Sequence, residues 1–121
     1  MAAARVLVID DDANMRDLLR IHLGAAGYEV EAAEDCVAAG QALLRRAPDL
    51  IITDVHMPHM DGFEFAAALG TDASLSRIPV IFLTSEEEGQ DRAKGVNAVG
   101  FVRKPVRADH LLSLVAKHLP A

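Results

Sequence analysis

A doubly wound α/β domain is the fold this sequence predicts, and three observations carry the prediction. Short apolar runs alternate with helical patterns along the chain. Three of the runs, RVLVID (5–10), LIITD (50–54) and PVIFLT (79–84), are nearly continuous in Val, Ile and Leu, as parallel strands covered on both faces are. Five strand–helix units fit into 121 residues, so the chain is expected to be a single domain over 1–121, with no effector domain in it.

Each element has its own signal. The strand at 5–10 runs into Asp10-Asp11-Asp12, and Asp12 is placed to cap a first helix. Met15, Leu18, Leu19 and Leu23 fall on one face of that helix, and Gly24 or Gly27 can end it. The next strand, YEVEAAE (28–34), mixes apolar and acidic residues and therefore suits a sheet edge. Val37, Leu43 and Leu44 mark a second helix, opened by Glu34 or Asp35 and stopped before Pro48. The strand at 50–54 leads to a turn and a third helix over Phe63–Leu69. There Asp61 can cap, and Gly62 permits a backbone shape that a Cβ would oppose. After the strand at 79–84 a fourth helix is expected over Glu86–Val96, its EEE first turn complementing the helix dipole. GFVRKP (100–105) is short and soon charged, the mark of the second edge strand. A fifth helix over Asp109–Leu119 turns Leu111, Leu112, Val115 and Leu119 inward. With the two polar strands outside, the sheet order is 2-1-3-4-5, a three-layer αβα sandwich whose site lies beyond the carboxyl ends of strands one and three.

Composition narrows the function classes. Hydrophobic residues make up 51% of the chain but aromatic ones only 4%, so the core should be aliphatic. A net charge of −6 argues against direct nucleic-acid binding by this domain. One cysteine, Cys36, allows no disulfide within the chain and reads as a helix-end residue without redox purpose. No signal-peptide-like or membrane-spanning run is present, and a cytoplasmic location with no membrane contact is expected.

The strand ends carry the chemistry. Asp10 and Asp11 follow strand one, Asp54 ends strand three, Thr84 ends strand four and Lys104 follows strand five. The fold gathers them on one sheet edge, where the carboxylates would repel one another. A hard divalent cation, Mg²⁺ or Mn²⁺, resolves that repulsion with oxygen ligands and favours phosphate oxygens. A carboxylate beside such an ion can act as a nucleophile and become an aspartyl phosphate. Lys104 can hold a second phosphate oxygen and Thr84 can donate to a third. Taken singly, these residues have plain readings: a solvated Asp loop, a surface lysine, a strand-ending threonine. Their convergence favours the site.

VLVIDDD, DLIITDVHMPHMDG, PVIFLTS and FVRKP together resemble the signatures of receiver domains of bacterial two-component response regulators, of the chemotaxis-regulator kind, over essentially the whole chain. The resemblance implies a flavodoxin-like fold and a phosphoacceptor switch. Asp54 would take a phosphoryl group from a histidine kinase or histidine phosphotransfer protein. Asp10, Asp11, Asp54 and the His56 backbone carbonyl would hold the metal. Thr84 and Lys104 would contact the phosphoryl group, and the Lys104-Pro105 bond would be cis, an isomer that costs little before proline. Phe101 would be the aromatic that moves with Thr84; it reads equally as a permanent core residue. The side chains of His56 and Glu86 would tune dephosphorylation, whereas a zinc reading of His56 and His59 is the weaker one.

The sequence departs from the family pattern between Thr84 and Lys104, which is a shorter stretch carrying Gly89 and Gly95, with Asn97 where Gly is usual. The fourth helix is accordingly expected to be short or labile, and the family's usual dimer is in doubt. A monomer or a weak phosphorylation-dependent dimer is expected, with a downstream protein as the output partner. Two other functions compete: a Mg²⁺-dependent phosphatase turning over an aspartyl phosphate, and a receiver-like adaptor that works unphosphorylated.

Overall fold

The computed structural model describes residues 3–57, 60–84 and 98–119. Its elements are β1 (Arg5–Ile9), α1 (Ala13–Ala25), β2 (Glu29–Ala33), α2 (Cys36–Arg45), β3 (Leu50–Asp54), α3 (Gly62–Gly70), β4 (Val80–Thr84), β5 (Ala98–Arg103) and α4 (Ala108–His118). The five strands form one parallel sheet in the order β2-β1-β3-β4-β5. The helix expected over Glu86–Val96 lies outside the described residues, so α4 is the last helix of the sequence reading.

Alternation along the strands builds two cores, one on each face of the sheet. Val6, Val8, Leu50, Ile52, Ile81 and Leu83 face α1 and α4, where Leu19, Leu23, Leu111, Val115 and Leu119 complete an aliphatic cluster around Tyr28. Leu7, Ile9, Ile51, Val80 and Phe82 face α2 and α3, with Ala39, Ala42, Phe63, Phe65 and Leu69. The core is therefore not aliphatic throughout. The phenylalanines, few as they are, concentrate on one face, where Phe63 and Phe82 have ring centroids 4.6 Å apart.

Caps fix the helix starts. Asp12 accepts from the Asn14 N–H at 2.9 Å, and Asp35 from the Ala38 N–H at 2.8 Å. Asp61 and Glu64 form a reciprocal capping box at the head of α3. After α1 the chain reverses at Gly27, whose φ of 98° suits a residue without a Cβ.

Three details refine the sequence reading. Val37 and Leu44, two of the residues that mark α2, are 57% and 89% exposed, and Ala39 and Ala42 take the seam. Small side chains let α2 lie close on the sheet, so size rather than hydropathy selects that face. Leu18 is likewise on the margin of α1, 39% exposed. Strand β5 occupies 98–103 rather than 100–105. Ala98 and Val99 join the ladder through an irregularity at Val80/Ile81, whereas Pro105 has no N–H to offer it.

Candidate functional site: an acidic pocket at the sheet switch point

The carboxyl ends of β1, β3, β4 and β5 meet on one edge of the sheet. Asp10 directly follows β1 and is fully buried; its N–H donates to the Ala33 carbonyl at 3.1 Å. Its Oδ1 accepts from the Asp12 N–H at 2.9 Å, which folds the acidic turn back on itself. Asp54 ends β3 in register with Leu83, 5% exposed. The ladder carries one step further, where the Val55 N–H donates to the Leu83 carbonyl at 3.1 Å. The strand is thus a rigid mount for the Asp54 carboxylate. Asp11 is exposed beside them, and Asp10, Asp11 and Asp54 each offer an oxygen within 4.8 Å of the others.

Lys104 supplies the positive charge. Its backbone N–H donates to the Thr84 carbonyl at 2.8 Å, which carries it past the end of β5 and next to buried Thr84. Its Nζ lies 3.3 Å from Asp10 Oδ2 and 3.3 Å from Asp54 Oδ1. The Lys104-Pro105 peptide bond is cis. Burial works against the charge of Lys104, but Asp10 and Asp54 outweigh it and hold the ammonium above the usual lysine range. Burial also pushes the Asp10 carboxyl up; the Asp12 N–H opposes this, the Asp54 charge adds to it, and Lys104 offsets only part. Both directions are those of a pocket with more negative than positive charge.

A sequence profile described as the response regulator receiver domain matches residues 6–116. The chain belongs to this family. The DNA-binding dual master transcriptional regulator RpaA of Synechocystis sp. is 39% identical over 114 residues, 92% of this chain but 47% of RpaA. The chain thus spans about half the length of that relative. Among solved structures, the chemotaxis response regulator CheY4 of Vibrio cholerae superposes with a TM-score of 0.90 at 35% identity, covering 98% of this chain and all of CheY4. Response regulator TrrA of Thermotoga maritima, solved in complex with Mg²⁺-BeF, gives a TM-score of 0.85 at 30% identity, over 96% of this chain and 99% of TrrA. The chain is accordingly a signalling receiver domain of two-component systems with the flavodoxin-like fold. No helix among the described residues is long and apolar enough to cross a membrane.

The donor set of this receiver domain fits a hard cation. The candidate side-chain ligands Asp10, Asp11 and Asp54 all offer carboxylate oxygens, and they converge with charge left over after Lys104 is counted. Of the other residues singled out in the sequence, His56 has an exposed side chain and an N–H 3.4 Å from Asp54 Oδ1. Phe101 packs, partly buried, against the core on the α2 and α3 face. It stacks on Phe82 at 5.5 Å between centroids and lies 6.5 Å from Phe63, on the α3 side of the sheet. Glu86 and His59 lie outside the described residues.

Two features were not legible in the sequence. A Cβ on Gly62 would run into the backbone carbonyl oxygen of Asp54, so this glycine is required by close approach and not by its φ. The Gly62 N–H donates to the Val55 carbonyl at 2.8 Å, which holds the turn against the end of β3. Arg16, in the first part of α1, donates from Nη1 to the Asp10 carbonyl at 2.7 Å. Nothing in the spacing of an arginine six residues after an aspartate signals such a bond.

Proposed function

We propose that Asp54 is the phosphoacceptor of a Mg²⁺-dependent phosphoryl switch, and that the phosphoryl group comes from a phosphohistidine of a kinase or phosphotransfer protein. The observation that carries this reading is the placement of Asp54: at a rigid strand end, beside two further carboxylates, with the Lys104 ammonium 3.3 Å from its Oδ1. Asp10, Asp11, Asp54 and the His56 carbonyl are the groups that would hold Mg²⁺ (or Mn²⁺). The bound ion supplies neutralisation of the charge on the transferring phosphoryl group.

In the transfer an Asp54 carboxylate oxygen forms a bond to phosphorus as the phosphorus–nitrogen bond to the donor imidazole breaks. The imidazole nitrogen keeps the electron pair and takes up a proton. Lys104 exchanges its contact with Asp54 for one with a phosphoryl oxygen, acting as a point charge. The Thr84 hydroxyl donates to another oxygen. The protein itself supplies these groups, so the receiver domain promotes its own phosphorylation and the hydrolysis that ends the signal. Movement of Thr84 toward the phosphoryl group and of Phe101 along with it would shift a two-state equilibrium of the β4–β5 region. A downstream protein reads that shift; the donor reads the acidic pocket. The setting is cytoplasmic, and residues 1–121 act as one receiver unit. The side chains of His56 and Glu86 set the lifetime of the phosphoryl group.

Intact mass after incubation with acetyl phosphate and Mg²⁺ tests the reading. One phosphate-sized adduct is expected, absent in Asp54→Ala and absent when Mg²⁺ is chelated. An adduct that survives both changes, or none from any phosphodonor, would contradict it.

A further inference from the structure

Every carbonyl at a buried strand end needs a donor, and Asp10 lies one residue beyond the last register pair of β1. The donor here is neither a strand nor a described loop amide. It is the guanidinium of Arg16, half-buried, with Nη1 2.7 Å from the Asp10 carbonyl oxygen. None of the ion pairs among the described residues uses Arg16. Its charge is therefore committed to one main-chain oxygen, and not to the acidic side chains that lie along the same turn.

Resting on the reading of the pocket given above, we infer that Arg16 is a positioning residue for the metal-binding carboxylates. Asp10 is anchored three ways: its N–H to Ala33, its Oδ1 to the Asp12 N–H, and its carbonyl to Arg16. The first two bonds limit the rotation of the peptide between Asp10 and Asp11, since the Asp10 Oδ1–Asp12 bond closes a ring that spans it. The third fixes that peptide plane, and with it the direction in which the Asp11 side chain leaves the chain. Arg16 ties this plane to α1, whose start is set by the Asp12 cap. A charge-assisted bond to a carbonyl is strong enough to hold such a turn. Loss of groups that orient metal ligands typically weakens metal binding by roughly 10–100-fold.

The test is a Mg²⁺ titration followed by amide chemical shifts, on wild type, Arg16→Met, Arg16→Lys and Leu23→Ala, with metal-free melting curves alongside. Arg16→Met is expected to raise the Mg²⁺ dissociation constant on the order of tenfold. Arg16→Lys, which keeps a donor, should recover part of the affinity. Leu23→Ala, a core change near the far end of α1, should lower the melting temperature and leave the affinity unchanged. An affinity for Arg16→Met within twofold of wild type would overturn the inference, as would an equal loss in Leu23→Ala. If wild type itself takes up no Mg²⁺, the reading of the acidic pocket falls, and this inference with it.

Discussion

Two carboxylates with little access to water, Asp10 and Asp54, share one ammonium at 3.3 Å, and a third carboxylate stands beside them. Without metal such a pocket is held together against its own charge, so single substitutions should act in opposite directions. Lys104→Met removes the sole described counter-ion of Asp10 and Asp54 and should cost about 2 kcal/mol in metal-free denaturant unfolding. Asp10→Asn keeps an oxygen for the Asp12 N–H while deleting a charge whose burial already works against it. It should therefore raise the metal-free melting temperature by a few degrees and abolish adduct formation. Gly62→Ala tests close approach at the same scale. The new methyl meets backbone that cannot swing aside, and a loss of about 2 kcal/mol is expected, together with slower phosphorylation because Asp54 is displaced.

Among the elements, β2 shows how an edge strand full of acid is kept in place. Glu31 lies 2.5 Å from Arg45 of α2 and 2.8 Å from Arg5 of β1, and Glu29 also pairs with Arg5, at 3.0 Å. The bond from Arg45, with Arg5 adding to it, holds the Glu31 carboxyl below the usual carboxylate range. A carboxyl depressed on folding stabilises above its unfolded pKa, and that contribution is lost as pH falls through the folded one. Glu31→Gln should thus cost about 0.5 kcal/mol at pH 7 in chemical unfolding and nothing at a pH low enough to protonate Glu31 in both states. The mixed character of YEVEAAE was enough to put β2 at an edge, and continuous Val/Ile/Leu runs were enough to put β1, β3 and β4 inside. Hydropathy marks α2 as a helix without giving its buried face, since Ala39 and Ala42 are buried while Leu44 stays in solvent. The end of β5 was misplaced for a similar reason, because pairing with β4 settles it and no local residue signal does.

For the whole molecule, the sheet order does the work of assembling the site. Asp10, Asp54, Thr84 and Lys104 are far apart in sequence, and each is legible as the end of a strand and as part of a signature stretch. The order β2-β1-β3-β4-β5 converts those ends into a pocket. What the sequence could not show was the support around it: the Arg16 bond, the Gly62 contact and the inward stack of Phe101 on Phe82 depend on side-chain packing in three dimensions. On the proposed reading, a pocket with surplus negative charge should also make stability depend on metal. Mg²⁺ at a hundred times its dissociation constant should add about 2.7 kcal/mol, seen as a rise in melting temperature that chelation reverses and Asp10→Asn abolishes. The central claim is that the phosphoryl group resides on Asp54 and nowhere else. Borohydride reduction of the phosphorylated chain, followed by peptide mapping, tests it most directly, because an acyl phosphate is reduced to an alcohol at the residue that carried it. Conversion of Asp54 to homoserine, with Asp10, Asp11 and Asp12 intact, is the predicted result; reduction at one of those three residues with Asp54 unchanged would contradict the account.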